Sequence, residues 1–281
     1  MDNNQRSIGL HVRLQDGLRD IVDAVEQYKI VVAQSFLLNE NGRYISLGTR
    51  AISQFLKQKE SLQFDYFVHA AYWSSLTDMN SKEFLSLVKE SEIAVDLQSK
   101  GIVVHVGATR GNLTKSDQAK YVAQGINELL HRVPDATLLL ENAPHAGRNF
   151  GGDLLDFVLL YEMLEQAEKV QYCIDTAHAF VYGYNLADQA YKDSFFEILD
   201  TYFKDKNISL LHLNDTQHGC ASQIDKHEVP GKGEIGSTVL KACMQQTILH
   251  DVPIVLELPG YCEPDEIHAT LARVRSWDIE K

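Results

Sequence analysis

The sequence predicts an α/β protein of the (β/α)8 TIM barrel class, built as a single domain over residues 1–281. Short apolar, β-branched runs alternate with longer segments whose apolar residues recur three and four positions apart, as in amphipathic helices. Strands that are apolar on both faces and alternate with helices indicate a parallel sheet. The pattern occurs eight times in 281 residues, which matches the barrel.

The predicted strands end in a consistent way along the chain. In order they are IGLHV (8–12), KIVVA (29–33), DYFVH (65–69), GIVVH (101–105), TLLLE (137–141), VQYCID (170–175), ISLLHLND (208–215) and PIVLE (253–257). Segments such as SKEFLSLVKESEIAVDLQSK and KSDQAKYVAQGINELLHRV separate them and are predicted helices. A doubly wound open sheet is the alternative, but no glycine-rich phosphate-binding loop follows an early strand, so the barrel is favoured.

Composition narrows the class of protein. No apolar run approaches the roughly 20 residues of a membrane helix, and MDNNQRSIGLHV lacks the apolar core of a signal peptide. We therefore expect a cytoplasmic, monomeric protein without membrane contact. The four cysteines are far apart and form no CxxC, which disfavours a disulfide framework or a cysteine zinc site. A net charge of −13 argues against a general nucleic-acid binder, although a local positive site remains open.

Potential metal ligands lie at or near the carboxyl ends of six predicted strands. They are His69, His105, Glu141, Asp175, His212 and Glu257, and His11 in the first strand is a further candidate. In a barrel these ends open on one face, which carries the active site. One such residue alone is usually a structural histidine or a helix cap, but six together predict a metal site.

The residue types indicate the metal chemistry. Imidazole and carboxylate suit zinc, manganese and iron, and a carboxylate such as that of Glu141 can bridge two cations. A second cluster lies in IDKHEVPGKGEIG, where Asp225 and His227 are two positions apart and share a side if the segment is extended. His178, just past the sixth strand, is placed to complete this cluster. Asn142 and Asn214 lie beside ligands and are expected to orient them.

Three ordered motifs resemble those of endonuclease IV, the zinc-dependent apurinic/apyrimidinic (AP) endonucleases, also called AP endonuclease family 2. They are LLLENAPHAG, CIDTAHAF.YGY, and LHLNDT followed by DKHE.PGKGEIG, and the resemblance covers most of the chain. It implies three zinc ions, with manganese possible at one site. The implied ligands are His69, His105 and Glu141 for the first ion, Glu141, Asp175, His212 and Glu257 for the second, and His178, Asp225 and His227 for the third.

The resemblance also implies a reaction in base excision DNA repair. A metal-activated water would hydrolyse the phosphodiester 5′ to an abasic site in duplex DNA, leaving a 3′-hydroxyl and a 5′-deoxyribose phosphate. Glu141 would be the catalytic carboxylate between two ions. Tyr72 matches a DNA-contacting tyrosine of the family.

The sequence departs from the family where DNA is contacted. The usual loop rich in Asn, Arg and Gln is absent after the second strand, and Arg43 and Tyr44 are the candidate substitutes. Lys226 stands between Asp225 and His227 where the family commonly has arginine, which keeps the charge without the bidentate fork. LPG follows Glu257 in place of the usual threonine-containing stretch. We therefore expect DNA recognition to diverge more than the metal site.

A second function remains open from the sequence. A sugar isomerase or epimerase on a xylose isomerase-like barrel would use a set like Glu141, Asp175, His212 and Glu257. Such an enzyme has little need for a further cluster of His178, Asp225 and His227, so that cluster distinguishes the two functions.

Overall fold

Eight parallel strands close into a barrel, which confirms the predicted fold class. The computed structural model describes residues 6–38, 44–45, 47–108, 113–146, 149–204 and 208–279, without the side chains of Tyr191 and Ile279. The strands are β1 Ile8–His11, β2 Val32–Phe36, β3 Asp65–His69, β4 Ile102–His105, β5 Leu138–Glu141, β6 Val170–Asp175, β7 Ile208–His212, β8 Asp215–Thr216, β9 His227–Glu228 and β10 Ile254–Leu256. β1–β7 and β10 form the barrel, and β8 pairs with β9 in a separate hairpin.

Helices surround the barrel in alternation with its strands. They are α1 Leu18–Tyr28, α2 Thr49–Leu62, α3 Lys82–Asp96, α4 Lys115–Arg132, α5 Leu154–Tyr161, α6 Thr176–Tyr182, α7 Gln189–Tyr202, α8 Ser237–Met244 and α9 Pro264–Ile279. Local signals set some of their starts, since Ser81 caps α3 and Thr114 caps α4 by accepting a backbone N–H. Within the described ranges, no helix combines the length and apolarity needed to cross a membrane.

Successive side chains of each strand point alternately out of and into the barrel. This creates an outer core, an inner core and a ring of polar side chains at one end of the barrel. Side chains that face outward pack against the helices, whereas a small inner cluster fills the barrel: Val32, Phe67, Val103, Leu139, Cys173, Leu210 and Val255. Two residues further along each of these strands, the same face carries a polar side chain: Gln34, His69, His105, Glu141, Asp175, His212 and Glu257. The ring therefore lies directly above the apolar layer, at the carboxyl ends of the strands.

The predicted second strand was placed too early in the chain. Lys29 ends α1 in the left-handed conformation, and Val31 is exposed, so the first part of KIVVA is a turn. The strand instead runs through Gln34 to Phe36, where it pairs with β1 and β3. Hydrogen bonding to β1 and β3 sets the position of β2 more strongly than the β-branched residues of KIVVA do. The sequence-based strand therefore ended before Gln34.

The seventh strand is shorter than predicted. It ends at His212, and Asp215 leaves the barrel to begin the β8–β9 hairpin. The hairpin brings Asp225 and His227 back over the barrel mouth, so the two candidate clusters become neighbours.

Gly9 takes the inner-layer position of β1, where no side chain fits. A Cβ at this position would lie 1.6 Å from the carbonyl oxygen of Val32. We expect Gly9→Ala to lower the free energy of unfolding by about 3 kcal/mol, at the upper end of overpacking costs. Urea denaturation measures the change. Gly219→Ala is the control, since its added Cβ meets nothing within 4 Å; equal stability of the two variants would contradict the packing argument.

Candidate metal centre

Glu141, at the end of β5, lies between two groups of ligands. Its Oε2 is 3.2 Å from His69 Nε2 and 3.1 Å from His105 Nε2. Its Oε1 is 2.9 Å from His212 Nδ1. Because Glu141 is fully buried and its two oxygens face different histidines, its carboxylate is placed to bridge two cations.

The second group surrounds His212. Its Nδ1 lies 3.5 Å from Glu257 Oε2 and 3.7 Å from Asp175 Oδ2. Together with Glu141 these residues offer four ligand atoms within 4.8 Å of one another. One imidazole and three carboxylates form a donor set that suits a divalent cation.

The third group combines α6 with the β8–β9 hairpin. His178 Nε2 and His227 Nε2 are each 3.3 Å from Asp225 Oδ1. The structure also brings Asp175 to this group, since its Oδ2 is 3.9 Å from His227 Nε2. Asp175 thus lies between the second and third groups, a position that the sequence did not predict.

His178 reaches the third group because α6 follows β6 without a loop. Asp175 is both the last residue of β6 and the N-cap of α6, and its Oδ1 accepts the backbone N–H of His178 at 2.8 Å. This capping bond fixes the start of α6, where the His178 ring lies with Nδ1 3.4 Å from Glu141 Oε1 and Nε2 3.3 Å from Asp225 Oδ1.

The residues fit zinc on two observations. The buried Nε2 atoms of His178 and His227 make no hydrogen bond although Asp225 is near, so neither ring points at the carboxylate as a donor would. In addition, tetrahedral zinc at its usual Zn–N distance separates neighbouring ligand atoms by about 3.3 Å. The 3.3 Å spacing around Asp225 matches this value, and the 3.1 Å and 3.2 Å separations at Glu141 are close to it.

The pKa directions show how strongly the carboxylates attract positive charge. Burial alone would raise the pKa of Glu141, yet nearby histidines, His105 foremost, hold it well below its ordinary value. Burial lowers the pKa of His227, but Asp225 and then Asp175 outweigh it and raise that pKa to about 9. A divalent cation would supply the same compensation with more charge.

Hydrogen bonds fix the tautomer of three histidines, so that the unprotonated ring nitrogen of each one faces the cluster. His69 Nδ1 donates to the carbonyl oxygen of Ala70 at 2.8 Å, and His178 Nδ1 donates to that of Asn142 at 3.0 Å. A carbonyl can only accept, so the proton stays on that nitrogen and the other is free to bind metal. In His212 the protonated nitrogen is Nε2, which donates to a side-chain carbonyl, and Nδ1 faces the cluster.

The acceptor for His212 is Gln34, which the sequence did not predict. Gln34 Oε1 accepts from His212 Nε2 at 2.9 Å, while Gln34 Nε2 donates to Glu257 Oε1 at 2.9 Å. The amide therefore orients two members of one group from a fully buried position. Gln34 could have been found from its position two residues after Val32, which puts both side chains on the inner face of β2. The predicted strand ended at residue 33 and therefore did not include it.

The two asparagines beside ligands hold the backbone and the carboxylates. Asn142 exchanges two hydrogen bonds with the peptide groups of Asp175, at 2.7 and 2.9 Å. Asn214 Nδ2 donates to Asp175 Oδ2 at 2.6 Å and to Glu257 Oε2 at 3.1 Å. Asn214 thereby offsets part of the repulsion between these two carboxylates.

Asp215 organises the loop that follows the hairpin and was also missed as a functional residue. Its buried carboxylate accepts backbone N–H groups from Thr216, Gly231, Gly233, Ile235 and Gly236. A Cβ on Gly233 would lie 2.5 Å from this carboxylate, so the motif PGKGEIG needs its glycine for close approach. The loop is thus built around one charge.

The mouth above the cluster is a cavity of about 430 Å³. His11 lines it, with Nδ1 3.0 Å from Glu257 Oε1, so this histidine joins the rim of the second group. Tyr72 is 60% exposed there, its ring centroid 6.0 Å from that of His105, and Lys226 is exposed on the hairpin. Arg43 lies outside the described residues.

The chain matches known proteins along most of its length. The family model described as xylose isomerase-like TIM barrel matches residues 22–277. A protein named probable endonuclease 4 from Campylobacter concisus is 30% identical over 263 residues, covering 90% of this chain and 92% of the relative. The chain belongs to the endonuclease IV family.

Solved structures share the barrel fold of this chain. Endonuclease IV from Thermus thermophilus superposes with a TM-score of 0.84 at 24% identity, covering 98% of this chain and all of that one. A D-tagatose 3-epimerase-like protein superposes with a TM-score of 0.73 at 14% identity, covering 96% of each chain. At these identities the likeness establishes the barrel alone, so endonuclease IV membership rests on the sequence match and the choice of reaction on the site.

We expect Gln34→Leu to weaken metal binding by the chain about 10- to 100-fold, because His212 loses the acceptor that fixes its tautomer. Competition with a chromogenic chelator measures the affinity. Ser35→Ala is the matched control on the same strand, since it removes a buried 2.7 Å hydrogen bond to Tyr66 that lies outside the cluster. Wild-type affinity in Gln34→Leu would refute the orienting role.

Proposed function

We propose that this endonuclease IV family member is a zinc-dependent AP endonuclease of DNA repair. Its reaction is hydrolysis of the phosphodiester 5′ to an abasic site in duplex DNA, with a 3′-hydroxyl and a 5′-deoxyribose phosphate as products. The observation that carries the proposal is the third group, His178, Asp225 and His227, beside the four-residue group. Names of the relatives support the nuclease assignment.

With three divalent ions bound, the cluster would present a phosphate-binding surface. Glu141, Asp175, Asp225 and Glu257 contribute four negative charges to a buried mouth, which by themselves repel a phosphodiester. Three zinc ions would leave a local charge of about +2, together with Lewis acidity and a lowered pKa for bound water. This local sign matters more to the substrate than the net charge of −13.

The protein's own groups hold this surface in a fixed geometry. Glu141 and Asp175 each face two groups, which keeps the ligand sets at fixed separations. Gln34, Asn142 and Asn214 keep the ligands oriented, so little reorganisation accompanies the reaction. Tyr72 and Lys226 lie on the rim, where they are available to the DNA strand around the scissile bond.

The competing function is a sugar isomerase or epimerase, for which the four-residue group alone would suffice. The epimerase-like structural neighbour supports only the shared barrel. Asp215 begins the hairpin that carries Asp225 and His227, and its five backbone contacts fix the loop that leaves this hairpin. This built support favours a required third group over a chance one.

A duplex with a single tetrahydrofuran abasic analogue should be nicked on the 5′ side of the analogue. In Glu141→Gln the bridging charge is lost, and the cleavage rate should fall at least about a hundredfold, as when one preorganised electrostatic group is removed. Gel analysis of end-labelled strands measures both. Glu165→Gln, an exposed carboxylate on the segment before β6, is the control. An intact duplex combined with conversion of a keto-sugar would establish the isomerase instead.

Metal analysis of the purified chain should find close to three zinc ions. His227→Ala removes one ligand of the third group, so this variant should hold about two ions while the first two groups stay filled. Mass spectrometry of the metal content, with circular dichroism to check folding, decides the point. One or two ions in the wild-type chain would argue for the isomerase.

A further inference from the structure

Arg13 lies on the wall of the metal-site cavity but belongs to none of the ligand groups. It follows β1 by two residues, and its exposed side chain lines the same 430 Å³ space as His69, His227 and Glu257. A guanidinium here faces the place that a substrate must enter to reach the ligands.

The loop after β10 is shaped around this guanidinium. Arg13 Nη2 donates to the carbonyl oxygen of Leu258 at 3.4 Å. A Cβ on Gly260 would lie 2.0 Å from Arg13 Nη1, so a side chain at 260 would displace the guanidinium from this position. The backbone of Gly260 does not have a positive φ, so glycine serves here for space and not for conformation.

The charge of Arg13 is left for a ligand. No carboxylate forms an ion pair with Arg13 among the residues that the structure describes, whereas Lys115 pairs with Asp156 and Lys232 with Glu266. In a chain with net charge −13, an arginine without a carboxylate partner gives this side of the cavity a local positive charge.

We propose that Arg13, seated against Gly260, binds a backbone phosphate of the DNA strand next to the scissile bond. The planar guanidinium presents two parallel N–H donors, which match two phosphate oxygens and hold them in one orientation. This inference rests on the proposed nuclease function and adds a specificity residue to it. It also gives the loop Leu258–Pro259–Gly260 a role, since that loop holds the guanidinium toward the cavity.

Binding of the zinc-loaded protein to a pre-nicked product duplex, which cannot be cut again, tests the inference by fluorescence anisotropy. Arg13→Gln should raise Kd about tenfold and reduce the slope of log Kd against log salt by about one. Gly260→Ala should cause a similar loss with the arginine retained. Arg19→Gln is the control, because Arg19 is exposed on α1 and pairs with Asp23 away from the cavity.

Single methylphosphonates placed along the strand identify the phosphate. One position should weaken binding of the wild-type protein and leave Arg13→Gln unaffected. Competition by inorganic phosphate that depends on Arg13, without any methylphosphonate effect, would assign the residue to a free phosphate and overturn the proposal.

The outcomes separate the two hypotheses. A wild-type chain that neither nicks nor binds abasic DNA defeats the nuclease function and this inference together. A wild-type chain that nicks, with Arg13→Gln equal to it in Kd and salt slope, defeats only the role of Arg13. Metal content and thermal melting of each variant confirm that the fold is retained, and Arg13→Gln decides the matter even if Gly260→Ala folds poorly.

Discussion

The placement of the fully buried Glu141 and Asp175 beside the partly buried Glu257 at the barrel mouth is the constraint on which the rest of the structure depends. Each carboxylate loses hydration, and each repels the others in a medium of low dielectric constant. The protein can keep them there only with positive charge close by, from histidines or from divalent ions. The inner apolar layer raises the demand further, because it seals the mouth from below and leaves one direction of access.

Neutral amides and backbone carbonyls supply the remaining hydrogen bonds to the residues of the cluster. The amides of Gln34 and Asn214 bond ligand side chains without adding charge, and Asn142 bonds the backbone of Asp175. Backbone carbonyls accept from His69 and His178. A charged residue in any of these places would alter the balance that the metal ions must meet. Positions of this kind therefore favour an amide over a carboxylate, even where a carboxylate would fit in size.

The barrel and the charged members of the cluster could be predicted from sequence, because strand ends in a parallel barrel converge and the residues there are chemically distinctive. Gln34 and Asp215 could not. A glutamine beyond an apolar run looks like an ordinary strand end until the pairing of β2 fixes its face. The role of Asp215 comes from backbone N–H groups up to 21 residues away, and side-chain types carry no record of such contacts.

The fold separates the candidate metal ligands from the residues that we propose meet the substrate. Most ligands sit on strand ends fixed by the apolar layer beneath them, so a change there disturbs packing as well as chemistry. Arg13, Tyr72 and Lys226 lie on loops and on the hairpin, where exposure makes substitution inexpensive. Departures at Lys226 and after Glu257 can then accumulate while the ligand set stays whole. Arg13 and Gly260 fit this division, because the guanidinium on one loop lies where a side chain on the other loop would stand.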